Sequence, residues 1–141
     1  MVADGTVPWR RLRRVAEATL RAVRAPAGEF SVIFVDGGTM RRLNRRYLGH
    51  DYVTDVLSFD LRHRSGRWEQ TPVGVLGEVI IAPSMARRQA RRFGEPYQRE
   101  LARYVVHGLL HWAGYDDHTA AQRRRMEARQ EALLRRLMPG E

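Results

Sequence analysis

His107 and His111 lie four residues apart in the run His107-Gly108-Leu109-Leu110-His111-Trp112-Ala113-Gly114-Tyr115-Asp116-Asp117-His118. Residues so spaced on a helix project from one face, one turn above the other, so two imidazoles can share one metal ion. Gly114 follows and permits the sharp turn that ends a helix, because glycine enters left-handed conformations without steric cost. The turn carries Asp117 or His118 back over the same ion as a third ligand. Three protein ligands leave a fourth position open for water, the pattern of a catalytic rather than a structural zinc site. A bare histidine pair more often marks packed or surface histidines. The glycine and the acidic or imidazole group at the right distance make this one a candidate metal centre. Zinc suits imidazole and carboxylate ligands, although nickel or manganese can occupy such a site too.

The ligand spacing is that of the metzincin zinc helix, with one difference. Zinc peptidases of this kind place a glutamate directly after the first histidine as general base, and here that residue is Gly108. Glycine cannot accept a proton. The metal ligands are therefore present and the peptidase base is not, which argues against a protease.

Taken with two further stretches, this run resembles the YbeY endoribonucleases, the bacterial rRNA maturation factors. The metal run is similar to the family's His-Gly-x-x-His-x-x-Gly-Tyr-Asp-His. Leu43-Asn44-Arg45-Arg46-Tyr47-Leu48, continuing through Asp51, Thr54 and Asp55 to Val56-Leu57-Ser58-Phe59, is similar to its Leu-Asn-x-x-Tyr-Arg…Asp-x-x-Thr-Asn-Val-Leu-Ser-Phe. Leu76-Gly77-Glu78-Val79-Ile80-Ile81 is similar to its Leu-Gly-Asp-Ile-x-Ile. The family's third ligand is a histidine six residues after the second; Asp117 holds that place, with His118 one later. A carboxylate oxygen is a competent zinc ligand at about 2.0–2.2 Å, and keeping the spacing favours Asp117 over His118. The family carries an arginine tied to activity where this chain has Leu48, with Arg45 and Arg46 nearby. Asp55 and Asp60 stand where the pattern has Asn and Pro, with no clear functional reading.

The resemblance implies a metzincin-like zinc-hydrolase fold and one zinc ion per chain on His107, His111 and Asp117. It implies a single-strand-specific, metal-dependent endoribonuclease that matures the 3′ end of small-subunit rRNA and serves ribosome quality control in the cytoplasm. The implied partners are an rRNA precursor and the small ribosomal subunit, with ribosomal proteins or an assembly GTPase as candidate protein partners, and no membrane. Phosphodiester cleavage needs a nucleophile, neutralisation of charge building on phosphorus, and a leaving-group proton. Zinc can supply the first two, and arginines help with the second. No general base is assigned: Asp116, Asp117 and Glu78 are conceivable, with structural roles the plainer reading for Asp116 and Glu78. Tyr115 reads as a packing residue. Two other functions compete, a non-catalytic RNA-binding assembly factor with a structural zinc, and another small zinc hydrolase.

The elements that must position these residues alternate along the chain. Pro8-Trp9 opens a helix with a core stripe of Trp9, Leu12, Val15, Ala16, Thr19, Leu20 and Val23, stopped by Pro26 and Gly28. Glu29 to Val35 alternates poorly but is short and β-branched, so it reads as a strand. The turn Asp36-Gly37-Gly38-Thr39 caps a helix through Leu48. Thr54 to Leu61 is a second strand, Arg62 to Pro72 a polar loop, and Val73 to Ala82 one long strand or a bent pair broken near Gly77. A helix from Pro83 ends at Phe93 before Gly94, and Glu95-Pro96 starts the metal helix, which runs to Ala113. Thr119 caps a last helix to about Leu137, its apolar face formed by Met126, Leu133, Leu134 and Leu137, and Pro139-Gly140-Glu141 frays. The sum is an α+β single domain spanning 1–141, a small mixed β-sheet packed with several helices.

Bulk properties agree. A chain of 141 residues can bury a real core. The absence of cysteine removes disulfides and thiolate ligands and suits a reducing cytoplasm. No signal peptide or membrane-spanning apolar run is evident. The net charge of +9 and pI of about 11.2 favour polyanionic partners. All 25 basic residues are arginine, which looks like a coding bias as much as a selected surface. Clusters lie at Arg10, Arg11, Arg13 and Arg14, at Arg87, Arg88, Arg91 and Arg92, and at Arg123 to Arg125. Arg45, Arg46, Arg87, Arg88 and Arg91 are the candidate RNA contacts, the last three with Arg92 forming one helical stripe able to grip phosphates bidentately.

Overall fold

The structure, a computed structural model, describes residues 7–48, 56–62 and 74–139. Among these, five helices and three strands follow one another as α1 (Trp9–Ala22), β1 (Glu29–Phe34), α2 (Gly37–Leu48), β2 (Val56–Asp60), β3 (Val75–Ile81), α3 (Pro83–Phe93), α4 (Tyr97–Trp112) and α5 (Ala120–Leu137). β3 is the middle strand. It pairs in parallel with β1, Val32 opposite Val79, and antiparallel with β2, Leu57 opposite Ile80. This is the small mixed sheet with several helices that the residue pattern predicts. Thr54, Asp55, most of the polar loop and the last two residues of the chain lie outside the described residues, as does the side chain of Leu48.

Successive strand residues face opposite sides of a sheet, and here the alternation divides the core in two. Val79 and Ile81 of β3 pack with Leu12 and Val15 of α1, Leu101, Val105 and Leu109 of α4, and Met126, Leu133 and Leu134 of α5. Ile80, on the other face, joins Leu57 and Met40 beneath α2. α4 is the centre of the larger core: Leu101, Ala102, Val105, Val106, Leu109 and Leu110 are fully buried. It packs against α1, α3, α5, β2 and β3, as a helix apolar around most of its circumference must. The helix that carries the histidine pair is thus held by five other elements among the described residues.

Most helix ends follow their local chemistry. Pro83 opens α3, and Gly94 closes it at a φ of 65°. Asp36 Oδ1 accepts the Thr39 N–H at 2.7 Å at the start of α2, and that bond holds the Asp36 carboxyl below its usual pKa. Thr119 and Gln122 form a reciprocal capping box at the start of α5. Three expectations need correction. α1 ends before Pro26: Arg24 itself takes a left-handed φ of 58°, with Ala25 N–H bonded to Leu20 O at 2.9 Å. Trp9 is 61% exposed rather than part of the core, and stands edge-on to Phe34 at 5.1 Å. β1 alternates strictly between exposed and half-buried residues; the outward-facing Ile33 conceals the period in the sequence. Of the two forms expected for residues 73–82, the single strand is the one found: β3 runs through Gly77, which pairs with Phe30 and Asp60, with an irregularity in its register against β1 between Glu29 and Phe30. No helix among the described residues is long and apolar enough to cross a membrane.

Candidate metal centre

The C-terminal end of α4 is fixed from below. Trp112 is buried, its Nε1 donates to Leu76 O at 3.0 Å, and its ring meets Phe30 edge-on at 5.1 Å. The Arg62 guanidinium lies 3.9 Å above the indole and donates to Trp112 O at 3.1 Å. Asp60 holds that arginine through two bonds, Nε to Oδ1 and Nη2 to Oδ2, both 2.9 Å, and this pairing raises the Arg62 pKa further. Asp60, which has no functional reading in the sequence, is part of a clamp on the end of the metal helix.

Gly108 has a packing role. Ser58 Oγ donates to Gly108 O at 2.9 Å, and a Cβ at position 108 would stand 2.6 Å from Val79 Cγ1 and 2.9 Å from Val56 Cγ1. The position where peptidases carry their base faces the sheet here, and no side chain fits it.

One turn apart on α4, the His107 and His111 rings lie nearly parallel, 17° apart, with centroids 6.3 Å from each other. His111 is exposed and its Nδ1 lies 2.9 Å from Tyr115 O. A carbonyl only accepts, so Nδ1 is the donor here, and in the neutral ring Nε2 then keeps its lone pair. Gly114 makes this contact possible. At a φ of 109° it turns the chain so that Gly114 N–H meets His111 O at 3.1 Å and Tyr115 N–H meets Leu110 O at 3.0 Å, the paired bonds of a Schellman motif. The same turn brings Tyr115 O over His111, while the half-buried Tyr115 ring packs against the core, as expected. His107 is half-buried, and its Nδ1 meets Gln130 Oε1 of α5 at 2.8 Å. Both Nδ1 atoms are therefore engaged by protein oxygens, which is how metal-ligating histidines are ordinarily oriented, with Nε2 turned to the ion. This donor chemistry fits a borderline cation such as zinc.

Asp117 and His118 are both exposed on the segment that joins α4 to α5. Arg123 Nη1 donates to Asp117 O at 3.1 Å, and Gln122 Oε1 accepts the N–H groups of His118 and Thr119, each at 3.0 Å. The structure thus brings His107 and His111 together; among the described residues it assembles no group of three histidine, aspartate or glutamate side chains able to hold a metal. Asp116 lines a cleft of about 250 Å³ with Tyr115, Gln122 and Arg125. Glu78 pairs with Phe59 and alternates with Val79, so it faces the α2 side of the sheet, away from α4.

Behind His107 lies a polar network that the sequence reading missed. Gln130 Nε2 donates to Glu131 Oε2 at 3.0 Å. Arg103 grips Glu131 with Nε to Oε2 at 2.8 Å and Nη2 to Oε1 at 3.1 Å, and also bonds Glu95 and Glu100. Burial opposes ionisation of Glu131, yet the Arg103 bonds outweigh it and hold its pKa below the usual value. For Glu100 burial wins and the pKa is raised. The available signal was Gln130 itself, a polar residue in the otherwise apolar row of Met126, Leu133 and Leu134.

Among the candidate RNA contacts, Arg45, Arg46, Arg88 and Arg91 are exposed. Arg46 lies 5.5 Å over the Tyr47 ring. Arg87 departs from the stripe: half-buried, it stacks 4.4 Å over Tyr97 of α4.

Residues 5–138 match the family model described as Endoribonuclease YbeY. Curated proteins of that name are similar: one from Moorella thermoacetica is 46% identical over 129 residues, covering 87% of this chain and 82% of the relative. Another, from Salinibacter ruber, is 39% identical over 132 residues, covering 91% and 82%. A solution structure of a Thermotoga maritima protein superposes with a TM-score of 0.63 at 25% identity, covering 99% of this chain and 95% of that one.

Proposed function

Because the chain belongs to the YbeY endoribonuclease family, we propose that it is a single-strand-specific, metal-dependent endoribonuclease. Its substrate is an rRNA precursor on the small ribosomal subunit, cut in maturation of the rRNA 3′ end, with a further part in ribosome quality control. The observation that carries the reading is the parallel pair His107 and His111, each with Nδ1 engaged by a protein oxygen. Those two histidines and Asp117 would hold one zinc ion, with His118 the alternative third ligand. An ion held there would supply a coordinated water of pKa about 7 and polarisation of a phosphoryl oxygen.

The chain's own residues do the rest. Tyr115 O keeps the His111 ring in one orientation, and the clamp of Asp60, Arg62 and Trp112 keeps the end of α4 from fraying. Arg125, in the cleft beside the turn, would help to neutralise charge on phosphorus, an electrostatic demand of phosphoryl chemistry. Of the carboxylates considered as base, Glu78 faces the wrong side of the sheet, which leaves Asp116 and Asp117.

Elemental analysis of the purified protein beside Asp117→Ala and His118→Ala tests the centre. Near-stoichiometric zinc, lost in Asp117→Ala and kept in His118→Ala, is the expected result. His111→Ala should then lose cleavage of single-stranded RNA while keeping its RNA affinity and its fold. If no preparation holds a transition metal and added zinc changes nothing, the hydrolase reading fails and a non-catalytic RNA-binding assembly factor takes its place.

A further inference from the structure

We infer that Arg103, Glu131 and Gln130 are positioning residues that fix the ring tautomer of His107, and so decide which of its nitrogens is offered to a ligand. The purpose of the device rests on the metal-centre reading above, but the tautomer does not.

The argument runs from the charged end inward. Glu131 is gripped by Arg103 through two bonds of 2.8 and 3.1 Å, and Arg103 is itself fixed by Glu95 and Glu100. An ionised carboxylate can only accept hydrogen bonds. The end of the Gln130 amide that lies 3.0 Å from Glu131 Oε2 must therefore be the NH₂ group. Gln130 is only 7% exposed, so water offers little alternative to these partners. Its other end, the carbonyl oxygen, then faces His107 Nδ1 at 2.8 Å, and a carbonyl also only accepts. Nδ1 must carry the proton and Nε2 the lone pair. Flipping the amide would set oxygen against oxygen at Glu131, a buried mismatch that no change of the His107 ring could relieve.

A neutral imidazole free in water prefers its proton on Nε2, so the protein has to reverse that preference twice. At His111 a backbone carbonyl, Tyr115 O, does so, and no side-chain substitution removes it. At His107 the same result depends on three side chains in series. The two histidines therefore give a test with a built-in control.

Two-bond ¹H–¹⁵N correlation spectra of the metal-free protein report the tautomer of each ring directly. They should be recorded at alkaline pH, and the same spectra identify when each ring is neutral, since only a neutral ring has a tautomer to report. The native chain should show both His107 and His111 as the Nδ1–H form. Glu131→Gln allows the Gln130 amide to turn, and Gln130→Met removes it. In both variants His107 should move toward the Nε2–H form while His111 stays unchanged, and zinc affinity, titrated against a competing chelator, should weaken by about 10–100-fold. Should Gln130→Met fail to fold, lost His111 dispersion will show it, and Glu131→Gln carries the test. His107 in the Nε2–H form in the native chain, or still Nδ1–H in both variants, overturns the inference. A native chain with the expected tautomers, responsive to the substitutions but blind to zinc, upholds the inference and refutes the metal centre.

Discussion

A single methyl group decides how closely α4 can approach the sheet. At position 108 it would sit 2.6 Å from Val79 Cγ1 and 2.9 Å from Val56 Cγ1, closer than carbon atoms approach without displacement. Gly108→Ala gains about 1 kcal/mol of helix propensity but incurs about 1–3 kcal/mol of overpacking. The net expectation is a loss of up to about 2 kcal/mol, read as a lower urea midpoint at unchanged slope; an unchanged or higher midpoint would show that the helix adjusts freely. This residue also marks how far a sequence can be read. The histidine pair was legible because its geometry is local, four residues on one helix. Gly108 was legible only as a missing base, since what fills the space beneath it comes from strands some 30 and 50 residues earlier. Asp60 was opaque for the same reason: its meaning depends on Arg62 meeting Trp112 O, fifty residues away.

At the scale of elements, the ends of the helices matter most, because the candidate third ligands lie between two of them. Gln122 Oε1 accepts from both His118 and Thr119 N–H, and Thr119 Oγ1 accepts from Gln122 N–H at 3.1 Å. The start of α5 therefore holds the segment bearing Asp117 and His118. Thr119→Ala should destabilise the fold by about 1 kcal/mol, and amide exchange of residues 117–119 should quicken more than that of α4; equal quickening in both would mean the cap does not act locally. The end of α1 predicts the opposite sign. Arg24 occupies a left-handed conformation at a φ of 58°, which disfavours a side chain by about 1–2 kcal/mol and glycine hardly at all. Arg24→Gly, after subtracting the extra freedom of glycine in the unfolded chain, should stabilise by about 0.5–1 kcal/mol, a rise in Tm of roughly 2–4 °C; a fall would show that its side chain makes a contact worth more than the strain. The contrast explains which boundaries were readable. Pro83, Gly94 and the Thr119-Gln122 pair announce themselves by residue type, whereas an arginine at a helix end signals nothing, and the alternation of β1 was hidden by a single outward isoleucine.

The charge of the whole molecule is unevenly placed. Counting arginines alone suggests a uniformly basic surface, and coding bias would give one. Yet α2 carries Arg41, Arg42, Arg45 and Arg46, α3 carries Arg87, Arg88, Arg91 and Arg92, and neither helix contains a single Asp or Glu. These two neighbouring helices hold eight of the 25 arginines, leaving 17 against all 16 carboxylates elsewhere, so they account for eight of the nine units of net charge. On the other helices acidic residues interrupt the arginines, as where Glu17 lies 3.6 Å from Arg13 in α1. A bias in codon usage does not sort carboxylates away from one pair of helices, whereas binding along a polyanion rewards such sorting. Each phosphate of a single strand that an arginine neutralises releases counterions and adds about 0.7 to the slope of log affinity against log salt. Arg88→Ala with Arg91→Ala should therefore lower that slope by about 1.4 for single-stranded RNA. Arg135→Ala with Arg136→Ala, an equal change of charge on the exposed side of α5, should leave it nearly unchanged. Equal losses from the two pairs would mean that RNA responds only to total charge, and that the concentration of positive charge on α2 and α3 has no part in holding it.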